Sequence, residues 1–374
     1  ADLGEAAAID AAVGKLREAL RDPKRRDVKR LARELDELVM RPVRGLAGST
    51  RHMLVAPDGA LNLAPFAALV DERGRYLVET YELTYLTSGR DLLRIGAGAP
   101  PREKSLVVAD PDYGDISLAR GSGTRAIVQK QAQSGAASVD FGDIGFPPLA
   151  NTEAEAREVG ALLMGSRVLT GDKATEVALK SAHAPEVLHV ATHGYFLPDL
   201  EIRPAAGAAD RGFGSTDLAQ AFAGVKIENP LLRSGLALAG ANARKSGEDD
   251  GILTASEVAG LDLWGTKLVV LSACQTGVGE VRAGDGVYGL RRALLLAGSE
   301  SQVMSLWRVA DRETRELMRA YYTRLRAGEG RSAGLSHVQL AMLRNPRTRH
   351  PFYWAAFIQS GAWGPLGEVH ESRH

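Results

Sequence analysis

The only cysteine of this 374-residue chain, Cys274, follows an apolar run at residues 267–272. A second apolar run, residues 187–192, ends in the same way at His193 and Gly194. A free thiol has a pKa of about 8.5, so a neighbouring imidazole is what makes a cysteine a useful nucleophile at neutral pH. The two residue types therefore suggest nucleophilic catalysis. A lone cysteine is also a common buried apolar residue, and the spacing alone does not decide between the two interpretations.

The apolar runs before both residues belong to a pattern in which strands alternate with helices. Strands are predicted at residues 105–111, 187–192, 267–272 and 301–307, and helices at 151–159, 286–298, 312–326 and 332–343. This alternation favours a mainly parallel sheet, and continuous apolar runs are typical of strands covered on both faces. Ligands of such sheets bind beyond the carboxyl ends of the strands. If the two strands are neighbours, His193 and Cys274 lie on one rim of the sheet.

Three other segments give weaker signals. Residues 1–50 read as helices, since apolar residues recur there at helical spacing. Pro57-Asp-Gly59 lies between two short apolar runs and predicts a hairpin or tight strand pair. Residues 113–147 are rich in Gly, Ser, Ala and Gln without a period, which predicts a mobile loop that is open to nicking.

Composition excludes several classes of function. Basic and acidic residues number 46 each, so no overall charge attracts nucleic acid or an anionic membrane. A single cysteine excludes an internal disulfide, and no apolar run approaches the ~18 residues of a membrane span. The first residues lack Met and a signal-peptide pattern. We therefore expect a cytoplasmic protein, a fragment of a longer chain, without nucleic-acid or membrane contacts. Because no nucleotide-binding glycine loop occurs, no cofactor is expected.

The two strand ends resemble the paired signature of CHAT domains, caspase-like cysteine peptidases often found downstream of tetratricopeptide repeats. The signature is carried by Leu188-His-Val-Ala-Thr-His-Gly194 and Leu271-Ser-Ala-Cys-Gln-Thr-Gly277. Further stretches that are similar to the family, in the same order, are 55–69, 149–156, Gly284-Asp-Gly286, Ser305-Leu-Trp307 with Asp311, and 351–357. The resemblance covers about residues 50–364.

The resemblance implies a caspase-like α/β/α sandwich with a mainly parallel central sheet, preceded by N-terminal helices. The expected domains are a helical segment at 1–50 (the tail of a repeat or regulatory region), the peptidase domain at 51–365 and a tail at 366–374. Cys274 is then the nucleophile, and His193 is the general base that later protonates the leaving amine. The backbone N–H groups of Gly194 and Cys274 would form the oxyanion hole, and no third member of a triad is evident.

For substrate binding, the resemblance implies that a peptide pairs with the strand at residues 304–307, which includes Ser305 and Trp307. Trp307 would wall a specificity pocket or pack in the core. Arg/Lys-directed members of the wider clan carry Asp two residues before the cysteine, where this chain has Ser272. An acidic pocket would have to come from Asp285 or Asp311, and Asp311 has an alternative role as the N-cap of the helix that begins near residue 312.

The remaining alternatives concern partners and metals. The resemblance implies a protein or peptide substrate, regulation by a partner protein or repeat domain, and by analogy a role in bacterial defence or programmed death. A caspase-like module that binds peptide without cutting it is the first alternative. The second is a metal-dependent hydrolase that uses His189 and His193, but their strand-like spacing lacks a third ligand, so we expect no metal and interpret His189 as a buried, hydrogen-bonded histidine.

Overall fold

The structure is a computed structural model that describes residues 2–119, 144–196, 230–272, 274–275 and 285–367. For residues 119, 196, 230, 274–275 and 285–288 it describes the backbone alone. The central part of the predicted loop at 113–147, the region 197–229 and most of the predicted tail at 366–374 lie outside the described residues.

A central eight-stranded sheet forms the core, as the alternation of strands and helices predicted. Its strands in spatial order are β1 (His52–Val55), β2 (Glu82–Tyr85), β12 (Phe357–Gly361), β11 (Ser301–Ser305), β9 (Leu268–Leu271), β5 (Val187–Ala191), β3 (Leu106–Pro111) and β4 (Arg167–Gly171). Every pairing is parallel except that of β11 with β12. All residues of β5 and β9 are buried, which explains their continuous apolar sequences. The prediction that these two strands are parallel neighbours is confirmed.

A second, four-stranded sheet continues from the carboxyl ends of β5 and β9. In spatial order it consists of β10 (Cys274–Gln275), β6 (His193–Phe196), β7 (Ser234–Ala237) and β8 (Ile252–Thr254). His193 and Cys274 come just after the carboxyl ends of β5 and β9, as expected. Each residue begins a short strand of this small sheet. A separate apolar cluster of Tyr113, Ile144, Phe146, Tyr195, Ala237, Ala241 and Ile252 is buried beside it.

Helices cover the central sheet. They are α1 (Ala6–Leu20), α2 (Val28–Val39), α3 (Arg41–Ala47), α4 (Ile116–Ala119), α5 (Thr152–Leu162), α6 (Glu176–Lys180), α7 (Ala255–Val258), α8 (Asp285–Leu296), α9 (Asp311–Arg326), α10 (Arg331–Arg344) and α11 (Pro351–Trp354). Short 3₁₀ helices lie at Gly59–Leu63, Phe66–Ala68, Leu77–Glu79, Gly89–Leu93 and Pro230–Leu232. The architecture is the α/β/α sandwich with N-terminal helices that the sequence predicted.

The amino-terminal part departs from the expected hairpin. The Pro57-Asp-Gly59 turn leads into a 3₁₀ helix, Gly59–Leu63, and β1 pairs in parallel with β2 more than 20 residues later. Helices α1 and α2 share the main hydrophobic core with the sheet. Arg44 of α3 donates to buried Asp36 of α2 (2.8 Å) and to Glu72 (2.6 Å), so charged hydrogen bonds link these helices to the domain.

Among the described residues, no helix combines the length and the apolar character that crossing a membrane requires.

Candidate active site

The structure brings the backbones of Cys274 and His193 side by side. Strands β10 and β6 pair in parallel with Cys274 opposite His193 and Gln275 opposite Gly194. Paired strands lie about 4.8 Å apart, so the two candidate catalytic residues are neighbours across the small sheet. The same register places the two expected oxyanion donors, Gly194 and Cys274, on adjacent strands. Gly194 also pairs with Leu236 on its other side.

Within the described part of the chain, one hydrogen bond holds the imidazole of His193. The residue is 1% exposed, and its Nε2 lies 2.7 Å from the carbonyl oxygen of Pro147. A carbonyl only accepts, so Nε2 carries the proton and donates it. In the neutral ring, Nδ1 is then left with a lone pair. Nδ1 is buried and has no hydrogen-bond partner among the described residues. This is the arrangement that a general base requires.

Burial keeps this imidazole neutral. It lowers the pKa of His193 from 6.5 to about 4, because a charged ring loses its hydration. The Pro147 carbonyl acts in the opposite direction and raises the pKa, whereas the positive charge of Arg308 lowers it. The pKa stays well below neutral pH because burial is the largest of the three effects. At pH 7 the ring is therefore ready to accept a proton.

Aromatic residues pack against the ring of His193. Its centroid lies 5.1 Å from that of Tyr113 and 5.9 Å from that of Phe146. The Tyr113 hydroxyl accepts the main-chain N–H of His193 at 3.3 Å and lies 2.8 Å from the Thr192 hydroxyl. Thr192 in turn donates to the carbonyl of Ala237, so Tyr113 must donate to Thr192. These bonds fix the backbone and the ring of His193 together.

Sequence reasoning missed the residues that surround His193. Tyr113, Phe146 and Pro147 all fall in the segment predicted as a mobile loop, yet Tyr113 is 3% and Phe146 1% exposed. The prediction is wrong for these two ends of the segment, because each end packs in the small apolar cluster beside β6. Large apolar residues at both ends of a Gly/Ser/Ala-rich stretch were the available signal.

His189 lies buried within β5, as interpreted from the sequence. Its Nδ1 lies 3.0 Å from the Tyr322 hydroxyl and its Nε2 3.1 Å from a carboxylate oxygen of Glu155. Both ring nitrogens are thus occupied by side chains of α9 and α5. The bonds connect the central strand to the two helices that cover it, and they leave His189 no free nitrogen for a metal ion.

The structure moves two expected substrate residues away from a free edge. Met304 of β11 pairs with Leu271 on one side and Ile358 on the other, and Ser305 pairs with Phe357. The expected docking edge at residues 304–307 therefore begins inside the sheet. Trp307 is 1% exposed, and its indole N–H donates to the Phe352 carbonyl at 3.1 Å. Trp307 packs in the core and does not wall an open pocket.

The other expected substrate residues are Ser272, Asp311 and Asp285. Ser272 is buried, and its hydroxyl has no hydrogen-bond partner among the described residues. Asp311 is the first residue of α9, and Ala310 occupies the cap position without a side-chain hydrogen bond, so the N-cap alternative is wrong. The pKa of Asp311 is raised above its ordinary value, mainly because the carboxyl is buried. The positive charge of Arg308 opposes this shift, and the negative charge of Glu155 adds to it. Asp285 begins α8, and only its backbone is described.

Comparison with known proteins gives two sets of similarities. Tetratricopeptide repeat protein 28 of Mus musculus and that of Homo sapiens are each 28% identical over 335 residues, which is 85% of this chain and 12% of either relative. The chain thus spans only a small part of these relatives. Two crystal structures of the Saccharomyces cerevisiae separase–securin complex align with 83% of the chain at 12% and 13% identity. The aligned parts are 15% and 16% of those chains, with TM-scores of 0.38.

The match to a protein family is broader. The family model of the CHAT domain matches residues 29–362, from within α2 to the end of the central sheet. It therefore includes the strands that carry His193 and Cys274 as well as the 144–151 stretch that holds Pro147. The chain belongs to the CHAT domain family.

Proposed function

We propose that this chain is a cysteine endopeptidase that cleaves a specific protein substrate through the Cys274–His193 dyad. The observation that carries the proposal is the register of β10 and β6, which sets Cys274 opposite His193. The neutral imidazole and its unpartnered Nδ1 support it, because a thiol becomes a nucleophile when a neighbouring base accepts its proton.

The proposed reaction has two halves. The Cys274 thiol transfers its proton to His193 Nδ1, and sulfur attacks the scissile carbonyl to give a tetrahedral oxyanion. The backbone N–H groups of Gly194 and Cys274 are the proposed donors to this oxyanion. As the intermediate collapses, the C–N bond breaks, His193 returns the proton to the leaving amine, and a thioester to Cys274 remains. Water, deprotonated by His193, then hydrolyses the thioester and regenerates the thiol.

The role of the Pro147 carbonyl follows from the same chemistry. When His193 becomes an imidazolium, the Nε2–H bond to Pro147 becomes charge-assisted and therefore stronger. The carbonyl thus steadies the charged ring without itself taking a proton. A dyad whose second nitrogen is held by a backbone carbonyl needs no carboxylate, which fits a sequence without an evident third triad residue.

Substrate selection and regulation are further parts of the proposal. Ser272, Asp285 and Asp311 remain the proposed contributors to substrate selection. The relatives named tetratricopeptide repeat proteins suggest that a repeat domain or a partner protein controls access to the site. We also retain, by family analogy, a cytoplasmic role in bacterial defence or programmed death.

Cleavage profiling with a peptide library tests the proposal directly. New amino termini are identified by mass spectrometry after incubation with the wild type, with Cys274→Ala and with His193→Ala. In parallel, peptidyl acyloxymethyl ketones are used to trap Cys274 as a covalent adduct. We expect cleavage by the wild type only, and an adduct at Cys274 that His193→Ala forms much more slowly than the wild type at pH 5. Variants Asp285→Asn and Asp311→Asn then show which carboxylate, if either, selects the residue before the cut.

Two results would overturn the proposal. Cleavage that persists in Cys274→Ala would assign the activity to other residues. The second result is tight binding of peptides that the wild type does not cut, together with no adduct from the peptidyl ketones. It would identify a non-catalytic peptide-binding module.

A further inference from the structure

Asn242 connects the two ends of the segment that encloses His193. It is 2% exposed, and its side-chain Nδ2 donates to the carbonyls of Gly114 and Phe146, both at 2.9 Å. Its Oδ1 accepts the main-chain N–H of Phe146 at 2.8 Å. The main-chain N–H of Asn242 donates to the carbonyl of Tyr113 at 2.8 Å. One residue therefore contacts the chain on both sides of the stretch 120–143.

The chemistry of these partners requires a carboxamide. Two carbonyls can only accept and one N–H can only donate, so the side chain must offer two donors and one acceptor at this length. Asparagine meets all three requirements. Aspartate would place a carboxylate against two carbonyl oxygens, and alanine would leave buried backbone groups without partners.

Each end held by Asn242 makes a contact with His193. Phe146 precedes Pro147, whose carbonyl accepts the Nε2 proton of His193 at 2.7 Å. Tyr113 stacks on the ring at 5.1 Å and accepts the main-chain N–H of His193. Asn242 itself does not bond to the imidazole. It bonds instead to the backbone of Phe146, the residue before Pro147, whose carbonyl orients the ring. It also bonds to the backbone of Tyr113, the aromatic residue that packs on the ring.

We propose that Asn242 is a positioning residue of the Cys274–His193 site. Its carboxamide holds Gly114 and Phe146 in place and thereby keeps Tyr113 and the Pro147 carbonyl against the imidazole. The catalytic importance of this role rests on the proposed peptidase function, whereas the positioning of His193 does not depend on it. Loss of the carboxamide admits water to the ring and frees it to rotate.

An NMR titration of His193 tests the proposal without involving catalysis. The measurement is made in a Cys274→Ala background, where no thiolate couples to the ring. With Asn242 present, the pKa of His193 is expected at about 4. In Asn242→Ala, renewed hydration is expected to raise it by about one to two pH units, towards the ordinary value of a solvated histidine.

Gln339 supplies a matched control. It is also a buried carboxamide that donates to two backbone carbonyls, those of Trp354 (3.1 Å) and Phe357 (2.9 Å). Gln339→Ala should lower thermal stability as Asn242→Ala does, yet leave the His193 pKa at about 4. An unchanged His193 pKa in folded Asn242 variants would overturn the proposal, even if peptide cleavage were lost.

A measurement on the unmodified side chain covers the case in which the variants do not fold. Amide hydrogen exchange of the Cys274→Ala protein reports on the Phe146 N–H, which Asn242 Oδ1 accepts. We expect slow exchange, comparable to that of amides within β6. Exchange of the Phe146 amide at the rate of an open loop would show that the Asn242–Phe146 hydrogen bond is not maintained, and would refute the proposed role of Asn242.

Discussion

Replacing His193 with alanine is expected to slow alkylation of Cys274 about 100-fold at pH 5 but only about twofold at pH 7. The difference arises because the structure makes His193 a neutral base with a low pKa, rather than a permanent imidazolium. A test at neutral pH alone would therefore miss most of the contribution of His193.

The magnitude follows from the balance of two pKa values and one attraction. His193 has a pKa of about 4, and an ordinary thiol one of about 8.5. Proton transfer between isolated groups would thus be unfavourable by a factor of about 10^4.5. Charges about 4 Å apart at an effective dielectric of about 20 attract by about 4 kcal/mol, which recovers about three powers of ten. The thiolate–imidazolium pair then makes up roughly 3% of sites, and since its formation exchanges no proton with water, this fraction stays constant from about pH 5 to 7.

Without the imidazole, only the thiolate in equilibrium with solvent reacts. For an ordinary thiol that fraction is about 3% at pH 7 and about 0.03% at pH 5. At pH 7 the wild type has both reactive forms, about 3% ion pair and about 3% thiolate, whereas His193→Ala has the thiolate alone, which gives the twofold difference in rate. At pH 5 the ion pair alone remains, which gives the hundredfold one.

Iodoacetamide alkylation followed by mass spectrometry measures these rates, and Cys274 is the only thiol in the chain. His337→Ala is a suitable control, because His337 is exposed and contacts Glu329 rather than the site. Circular dichroism at each pH shows that the proteins remain folded. The reasoning is refuted if the wild-type rate rises tenfold per pH unit between pH 5 and 7, in parallel with His193→Ala.

Three further predictions concern stability, each measured as the free energy of unfolding in urea. The pKa of His193 is about 4 in the folded protein and 6.5 when the ring is solvated. Because the unfolded chain therefore binds a proton at higher pH, the free energy of unfolding should fall by up to about 3 kcal/mol between pH 6.5 and 4. His193→Gln should remove this part of the acid sensitivity, and an unchanged pH profile in that variant would contradict the prediction. Trp307→Ala should cost about 3–5 kcal/mol, as for a fully buried aromatic, and a cost below about 1 kcal/mol would argue against core packing. Lys180→Met leaves the buried Glu176 carboxylate without its cation and should lower the free energy of unfolding by up to about 3 kcal/mol at pH 7. The loss should shrink in acid, as Glu176 is protonated. A loss that does not depend on pH would exclude the unpaired carboxylate as its cause.

Sequence patterns predicted the central sheet well because its signals are local. Continuous apolar runs reported strands buried on both faces, and the runs before His193 and Cys274 proved to be adjacent parallel strands. The hairpin at Pro57-Asp-Gly59 failed for the opposite reason. A turn signal describes four residues, whereas the partner of β1 is β2, which lies beyond several 3₁₀ turns.

The surroundings of His193 could not be predicted in the same way. Pro147 and Asn242 are far from His193 in sequence, and neither lies in a periodic segment. Their roles depend on a backbone carbonyl and a single carboxamide, and neither produces a recurring pattern of residue types that a sequence analysis could detect. Trp307 shows another limit, since the sequence left open whether it walls a pocket or packs in the core, and the structure encloses its indole in the core.

The buried state of His193 has a chemical consequence that joins these observations. A solvated imidazole beside a thiol would hold a large fraction of thiolate at all times, which oxidants and adventitious electrophiles could consume. In the proposed dyad, a base of pKa about 4 instead lies opposite Cys274, which predicts that most of the thiol stays protonated until a substrate arrives. In the proposed reaction, the backbone N–H groups of Gly194 and Cys274 stabilise the oxyanion that forms on attack, which moves the proton transfer to the moment of reaction. We therefore expect that burial by Tyr113 and Phe146 lowers the resting reactivity of Cys274 while it retains the base. Asn242→Ala, which admits water to His193, should then make Cys274 more reactive towards small electrophiles even as peptide cleavage declines.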